Sequence, residues 1–278
     1  MRRLVRCVLT VIGIAAGVVA VPAGASTTAN QLAWPAIASV LPTRGEVVGV
    51  AHPVVVTFRG AVTDRPAAER AIDITSTPAM TGRFEWLEND VAQWVPDRFW
   101  PAHSAIALSV GGLSTNFATG PAVVGVANIS EHTFTVTVDG VDAGPPSALP
   151  APHHRPHWGE AGVFPASMGR PEYPTPVGIY PVLGKERSVD MDSSSVGIPV
   201  DAPDGYLLTV DWAVRITSRG LFVHSAPWAV NSLGHDNVSH GCISLSPEDA
   251  EWYFNTVNVG DPVIVQENSL EVPRRVSG

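Results

Sequence analysis

Cysteine is nearly absent from this 278-residue chain: there are two, and Cys7 falls inside an N-terminal stretch that is expected to be removed. That leaves Cys242 as the one thiol of the mature protein, with no partner for a disulfide. An unpaired thiol outside the cell is either buried and inert or reactive, and the glycine and histidines around Cys242 favour reactivity. Long apolar runs are lacking as well. The single one, Val8 to Val21, is about 14 residues, short of the roughly 20 that a membrane-spanning helix needs. It follows Arg2, Arg3 and Arg6 and precedes Ala23-Gly24-Ala25, the pattern of a secretory leader over residues 1–25 with cleavage before Ser26. Export to the cell envelope is expected, with anchoring at the membrane if the leader stays attached.

Basic residues are scarce too. Losing the three leader arginines turns 17 basic against 26 acidic residues into 14 against 26, a net charge near −12. This argues against nucleic acid as a partner and leaves room for a cationic or zwitterionic substrate in a local acidic cleft. Only 15% of residues are charged, 45% are hydrophobic, and there are 25 Gly and 25 Pro. That balance suits a mainly β, turn-rich globular protein, and the length suits two domains.

Residues 26–41 are small and polar, with Pro35, and read as a linker. Over residues 42–120, short β-type runs recur between turn signals, at 46–50, 53–58, 71–75, 82–87, 91–95 and 105–110. They suggest an immunoglobulin-like antiparallel β-sandwich. Trp86, Trp94 and Trp100 could stack on sugar rings, but at strand spacing they read as its core or its seam with the next domain. His52 and His103 read as structural or surface residues. Thr119-Gly120-Pro121 marks a boundary, after which 122–129 and 133–138 read as strands closed by the Asp139-Gly140 turn signal. They open a second, β-rich domain with few short helices over residues 122–266.

Within it, the Pro- and His-rich stretch 143–158 carries His153, His154 and His157. No cysteine or acidic residue stands there at metal-ligand spacing, so a solvated loop is expected. Residues 182–206 show no periodicity and collect Ser193, Ser194, Ser195, Gly197, Pro199 and Pro203, as a surface loop or a lid does. Strands at 207–216 and 220–223 lead into His224. Beyond Cys242, Ser246 is an N-cap, Pro247 suits the first helical position, and Ala250, Tyr253, Phe254 and Val257 form one apolar helix face. A strand at 262–266 and a loose tail, 267–278, close the chain.

The chemistry centres on 221–246. Cys242 attacks only as the thiolate, so it needs an imidazole within reach. His240 is nearer in sequence, but a residue two positions away on extended backbone points to the same side while its ring need not reach the sulfur. His224, at a strand end across the loop, is the preferred base. Gly241 permits close approach of backbone, and the N–H groups of His240, Gly241 and Cys242 are candidate oxyanion donors. Neither a metal nor another cofactor is called for.

The run Ser239-His240-Gly241-Cys242, preceded in order by Val223-His224-Ser225, resembles the signature of the L,D-transpeptidases, cysteine enzymes that cross-link bacterial peptidoglycan. Thr175-Pro176-Val177-Gly178-Ile179-Tyr180 is similar to a second run of that family, a turn and strand under the active site. The resemblance covers residues 122–266, and its pairing with an immunoglobulin-like domain resembles mycobacterial and related actinobacterial members.

The resemblance implies Cys242 as nucleophile and His224 as base, oriented by the backbone carbonyl of Ser225. It places a flap in 182–206, with Met191 and Tyr206 either facing inward or in ordinary packing; Trp228, in the loop after His224, reads as a pocket wall or as core packing, and Ser239 and His240 as shaping the loop and the acceptor side. The implied donor is a tetrapeptide stem whose third residue, a diamino acid such as meso-diaminopimelate, acylates Cys242 with loss of D-alanine. An amine of a second stem would then form a 3→3 cross-link, and carbapenems would acylate the same sulfur. A monomer is expected. Many members carry Arg or Asn two residues beyond the cysteine, where this chain has Ser244, which bears on how the nucleophile loop is braced. An L,D-carboxypeptidase, or a wall-binding module with an inert thiol, remains an alternative.

Overall fold

The computed structural model describes residues 35–150, 153 and 159–268, so the leader lies outside the described residues. The first domain holds β1 (Ile37–Leu41), β2 (Val47–Val48), β3 (Val54–Phe58), α1 (Arg65–Ile72), β4 (Thr75–Thr77), β5 (Gly82–Trp86), β6 (Val91–Pro96), β7 (Ala105–Val110) and β8 (Leu113–Thr119). Alternate residues of β3 and β7 are buried, the period-2 pattern of a sheet covered on one face. Two four-stranded sheets, ordered β1-β3-β6-β5 and β2-β8-β7-β4, enclose Val54, Val56, Trp94, Trp100, Ile106 and Phe117. The immunoglobulin-like sandwich is therefore present, and the tryptophans fill it: Trp100 meets Phe117 edge-on at 5.4 Å and Trp86 stacks on Phe58 at 5.8 Å.

Two local readings need correction. The stretch read as a linker contributes β1, because Ile37 and Val40 pack against the core and the strand pairs with β3. The run 71–75, read as a strand, instead holds the end of α1, Ala71 and Ile72, and only at Thr75 the start of β4. Asp64 caps this helix, its Oδ1 accepting the Ala67 N–H at 3.0 Å, and Ala68 and Ile72 are buried beneath it.

The second domain continues with β9 (Val123–Asn128), β10 (Thr133–Val138), β11 (Val141–Asp142), β12 (Val163–Pro165), β13 (Gly178–Pro181), β14 (Gly184–Asp192), β15 (Leu207–Arg215), β16 (Phe222–Ser225), β17 (Ile243–Leu245), α2 (Pro247–Thr256) and β18 (Pro262–Gln266). Asp139 and Gly140 join β10 to β11 with φ of 52° and 79°, the left-handed pair of a tight hairpin turn. One sheet runs β11-β10-β9-β18-β13, with β12 also on β10; the other runs β14-β15-β16-β17. Their facing sides and α2 share one core, which includes Phe134, Phe164, Val223, Ile243, Leu245 and Tyr253. Ser246 caps α2, its hydroxyl accepting the Asp249 N–H at 3.1 Å, as the sequence implied.

Residues 182–206 are more regular than expected. Residues 184–192 form β14, paired along its length with β15, and only 193–206 is a loop. Its charged Lys185, Glu186, Arg187, Asp190 and Asp192 hid the strand, yet charge is what an edge strand tolerates.

The domains meet through backbone. The Gly49 N–H donates to the Val259 carbonyl at 2.8 Å and Ala51 to Gly260 at 2.7 Å. Gly49 is required there, since a Cβ would collide with the Asp261 backbone nitrogen. His103 pairs with Asp139 at 2.9 Å and His52 is buried near Gly260, so both are structural.

Candidate active site

Strands β16 and β17 place the two central residues. They pair in parallel with Val223 opposite Ile243 and His224 opposite Ser244. Partners in a parallel ladder point to the same side, and the side alternates. Val223, Ile243 and Leu245 therefore enter the main core, while Phe222, His224, Cys242 and Ser244 share the opposite face. Phe222 and Cys242 join a small apolar cluster with Val210, Ala213 and Met191.

The His224 ring is buried, and Nδ1 lies 2.7 Å from the Ser225 carbonyl. A carbonyl only accepts, so Nδ1 carries the proton and Nε2 of the neutral ring is left as a base. Burial pushes this imidazole down to about 4, partly offset by the Ser225 carbonyl. The Cys242 thiol donates to the Gly220 carbonyl at 3.6 Å, and burial pushes it up to about 11. Both groups rest neutral at pH 7.

The loop carrying the thiol is held from two directions. Ser239 Oγ donates to the Cys242 carbonyl at 2.7 Å and accepts the Gly241 N–H at 3.0 Å. Thr175 Oγ1 donates to the Gly241 carbonyl at 2.7 Å and accepts the Gly169 N–H at 2.8 Å. Gly241 itself has φ of 119°, a conformation that excludes most side chains. Ser244, two residues beyond the thiol, braces through backbone: it exchanges both peptide hydrogen bonds with Ser167, at 2.8 and 3.0 Å.

The second domain matches the profile of the L,D-transpeptidase catalytic domain over residues 123–265, and the first that of a bacterial Ig domain over residues 15–112. Over 271 residues the chain is 71% identical to the probable L,D-transpeptidase 3 of Mycobacterium tuberculosis (strain ATCC 25618 / H37Rv), covering 96% of this chain and all of that one. The chain belongs to the L,D-transpeptidase family. The crystal structure of L,D-transpeptidase 3 from M. tuberculosis with a faropenem-derived adduct is 75% identical, with a TM-score of 0.79 over 84% of this chain and 98% of that one. The structure of LD transpeptidase LdtMt1 in complex with imipenem is 51% identical, with a TM-score of 0.74 over 84% and 99% of the two chains.

The other expected residues fall at different places around Cys242, His224 and His240, with one correction. Met191, on β14, packs in the Cys242 cluster. Tyr206 lies 4.9 Å from the His240 ring, and burial with the nearby Cys242 raises its phenol above the usual range. Trp228 is exposed, its ring 6.0 Å from that of His224. The correction concerns Gly241, whose N–H faces Ser239 Oγ and is not free for an oxyanion; the N–H groups of His240 and Cys242 remain the candidates. His153 is docked rather than solvated, its Nδ1 3.0 Å from the Leu233 carbonyl; His154 and His157 lie outside the described residues.

Two residues of the site escape a reading of the sequence. Thr175 shows there only as part of a placement motif, and Arg170 carries no signal at all. A cavity of about 520 Å³ opens beside His240, lined also by Tyr173, Pro174, Tyr180, Arg219 and Leu221.

Proposed function

We propose that Cys242 carries the acyl group in an L,D-transpeptidation of peptidoglycan stems. His224 Nε2 takes the thiol proton as sulfur bonds to the carbonyl carbon of the third residue of a tetrapeptide donor. The C–N bond to the terminal D-alanine breaks, the proton passes to the departing amine, and a thioester remains. An amine of a second stem attacks the thioester and returns the thiol, leaving a 3→3 cross-link. The observation that carries this reading is the fixed tautomer of His224, tied by Nδ1 to Ser225, on the same sheet face as Cys242.

Because thiol and imidazole both rest neutral, the proton moves with the attack rather than ahead of it. The adducts named for the relatives support a carbapenem-type β-lactam acylating the same sulfur. Met191, Tyr206, Trp228, Ser239 and His240 form the substrate's surroundings. The protein acts as a monomer in the cell envelope, after loss of residues 1–25, with residues 122–266 as its catalytic domain.

The test is product analysis after incubation with a disaccharide-tetrapeptide and a second stem as acceptor. A dimer that requires Cys242 is expected. Release of D-alanine without dimer would make the protein an L,D-carboxypeptidase, and no turnover by folded protein would leave a wall-binding module.

A further inference from the structure

Arg170 touches both the nucleophile loop and the loop at 193–206. Its N–H donates to the Ser239 carbonyl at 3.0 Å. Its guanidinium, 25% exposed, brings one Nη to 3.1 Å from His240 Nε2 and to 2.5 Å from Asp204 Oδ1, with Nε 3.6 Å from Glu172. Its Cζ lies 4.9 Å over the Tyr173 ring, and the Tyr173 hydroxyl reaches Asp204 Oδ2 at 3.4 Å. The His240 ring sits between Tyr173 at 4.8 Å and Tyr206 at 4.9 Å.

A guanidinium has donors only, so the nitrogen facing it must be bare. His240 is then neutral, with its proton on Nδ1. Burial first, and then the Arg170 charge, hold the ring below its usual range, while the Asp204 carboxylate and backbone pull the other way. Glu172 and Arg219 are the remaining charged groups lining the cavity that His240 faces. An imidazole so held cannot serve as the base at Nε2 without first losing Arg170, which separates its role from that of His224.

We propose that Arg170 is a positioning residue of the transferase: it fixes His240 in one neutral tautomer and, through Asp204, ties the 193–206 loop to the nucleophile loop. The proposal rests on the reading of Cys242 as nucleophile, because His240 and Tyr206 then form the wall beside the sulfur. One guanidinium makes the two walls move together. Releasing the loop from Asp204 frees one side only, whereas removing the guanidinium leaves the two joined only through the bond of His240 to the Asp204 backbone.

The experiment compares wild type, Arg170→Gln and Asp204→Asn in the full chain by two readouts that need no turnover. Two-bond ¹H–¹⁵N imidazole spectra between about pH 5 and 8 report the tautomer and titration of His240. Limited proteolysis reports the 193–206 loop. In wild type, His240 is expected neutral with Nδ1–H and the loop protected. Arg170→Gln should move the His240 titration up toward the ordinary histidine range, short of it because the ring stays buried, speed cleavage of the loop about tenfold, and raise KM for a peptide donor more than it lowers kcat. Asp204→Asn should speed cleavage while leaving the His240 tautomer as it was, and it keeps the clamp testable if Arg170→Gln does not fold. An unchanged His240 titration in Arg170→Gln, or unchanged cleavage in Asp204→Asn, overturns the proposal. Failure of Cys242 to form a thioester would leave both readouts intact, so the two claims fail separately.

Discussion

The Thr175 hydroxyl donates to the Gly241 carbonyl at 2.7 Å, and both groups are buried. Thr175→Val leaves that carbonyl and the Gly169 N–H without partners inside the protein. The expected cost is about 1–3 kcal/mol in urea unfolding, with acylation of Cys242 by a β-lactam slowed roughly tenfold as the loop relaxes. Thr175→Ser should restore most of both. Equal rates in the valine variant would show that the loop does not depend on this bond.

Gly241→Ala attacks the same loop from its backbone. At φ of 119°, with Leu221 Cδ2 only 3.1 Å from where the alanine Cβ would stand, the substitution forces the peptide to turn. Acylation should fall by about 100-fold or more, the scale of losing an oxyanion donor, while circular dichroism and the first domain's unfolding stay unchanged. A variant acylated at the wild-type rate would remove Gly241 from the account of the site.

The neutral resting pair sets the pH–rate profile. Transfer of the thiol proton to the imidazole needs His224 unprotonated, so the acid limb falls at about 4, and the thiol ionises by itself only near 11. Single-turnover acylation by a β-lactam should be flat from roughly pH 5 to 10. A bell centred near neutrality would instead mean a thiolate–imidazolium pair in the free enzyme.

Stability should depend on pH through two opposing groups. His224 titrates near 6.5 when unfolded and about 4 when folded, so below 6.5 the unfolded state takes the proton and stability falls with falling pH, by about 3 kcal/mol in all. Asp261 runs the other way. Burial at the domain seam raises it from 3.8 to about 6, so the folded state holds its proton to higher pH, and stability falls as pH rises through that window. The two offset each other between about 4 and 6. Asp261→Asn removes only the second, so its unfolding free energy should climb more steeply than wild type from pH 4 to 7, by about 3 kcal/mol. Parallel curves in urea unfolding would rule out this role for Asp261.

What is legible in the sequence is whatever is local or chemically rare. Cys242 and His224 stand out because a lone thiol in a glycine loop with a strand-end histidine is an uncommon combination. The cap at Ser246 and the face of α2 are readable because both repeat over a few residues. The strand β14 is not, because an edge strand facing solvent can carry Lys185, Glu186 and Arg187 without breaking its pairing. Nor is α1: its cap lies at Asp64, and the apolar run at 71–75 taken without that cap has the look of a strand. Arg170 is invisible for a different reason. Its partners, Asp204 and His240, lie 34 and 70 residues away, and nothing short of the folded chain brings them together.

The central claim is that the Cys242 sulfur becomes the acyl carrier, and intact mass of the protein during turnover of a disaccharide-tetrapeptide tests it most directly. Wild type should gain the mass of the donor less D-alanine, as an adduct removed by hydroxylamine and mapped to the peptide containing Cys242, while folded Cys242→Ala gains nothing. An adduct on the alanine variant, or turnover to cross-linked product without Cys242, would contradict the account.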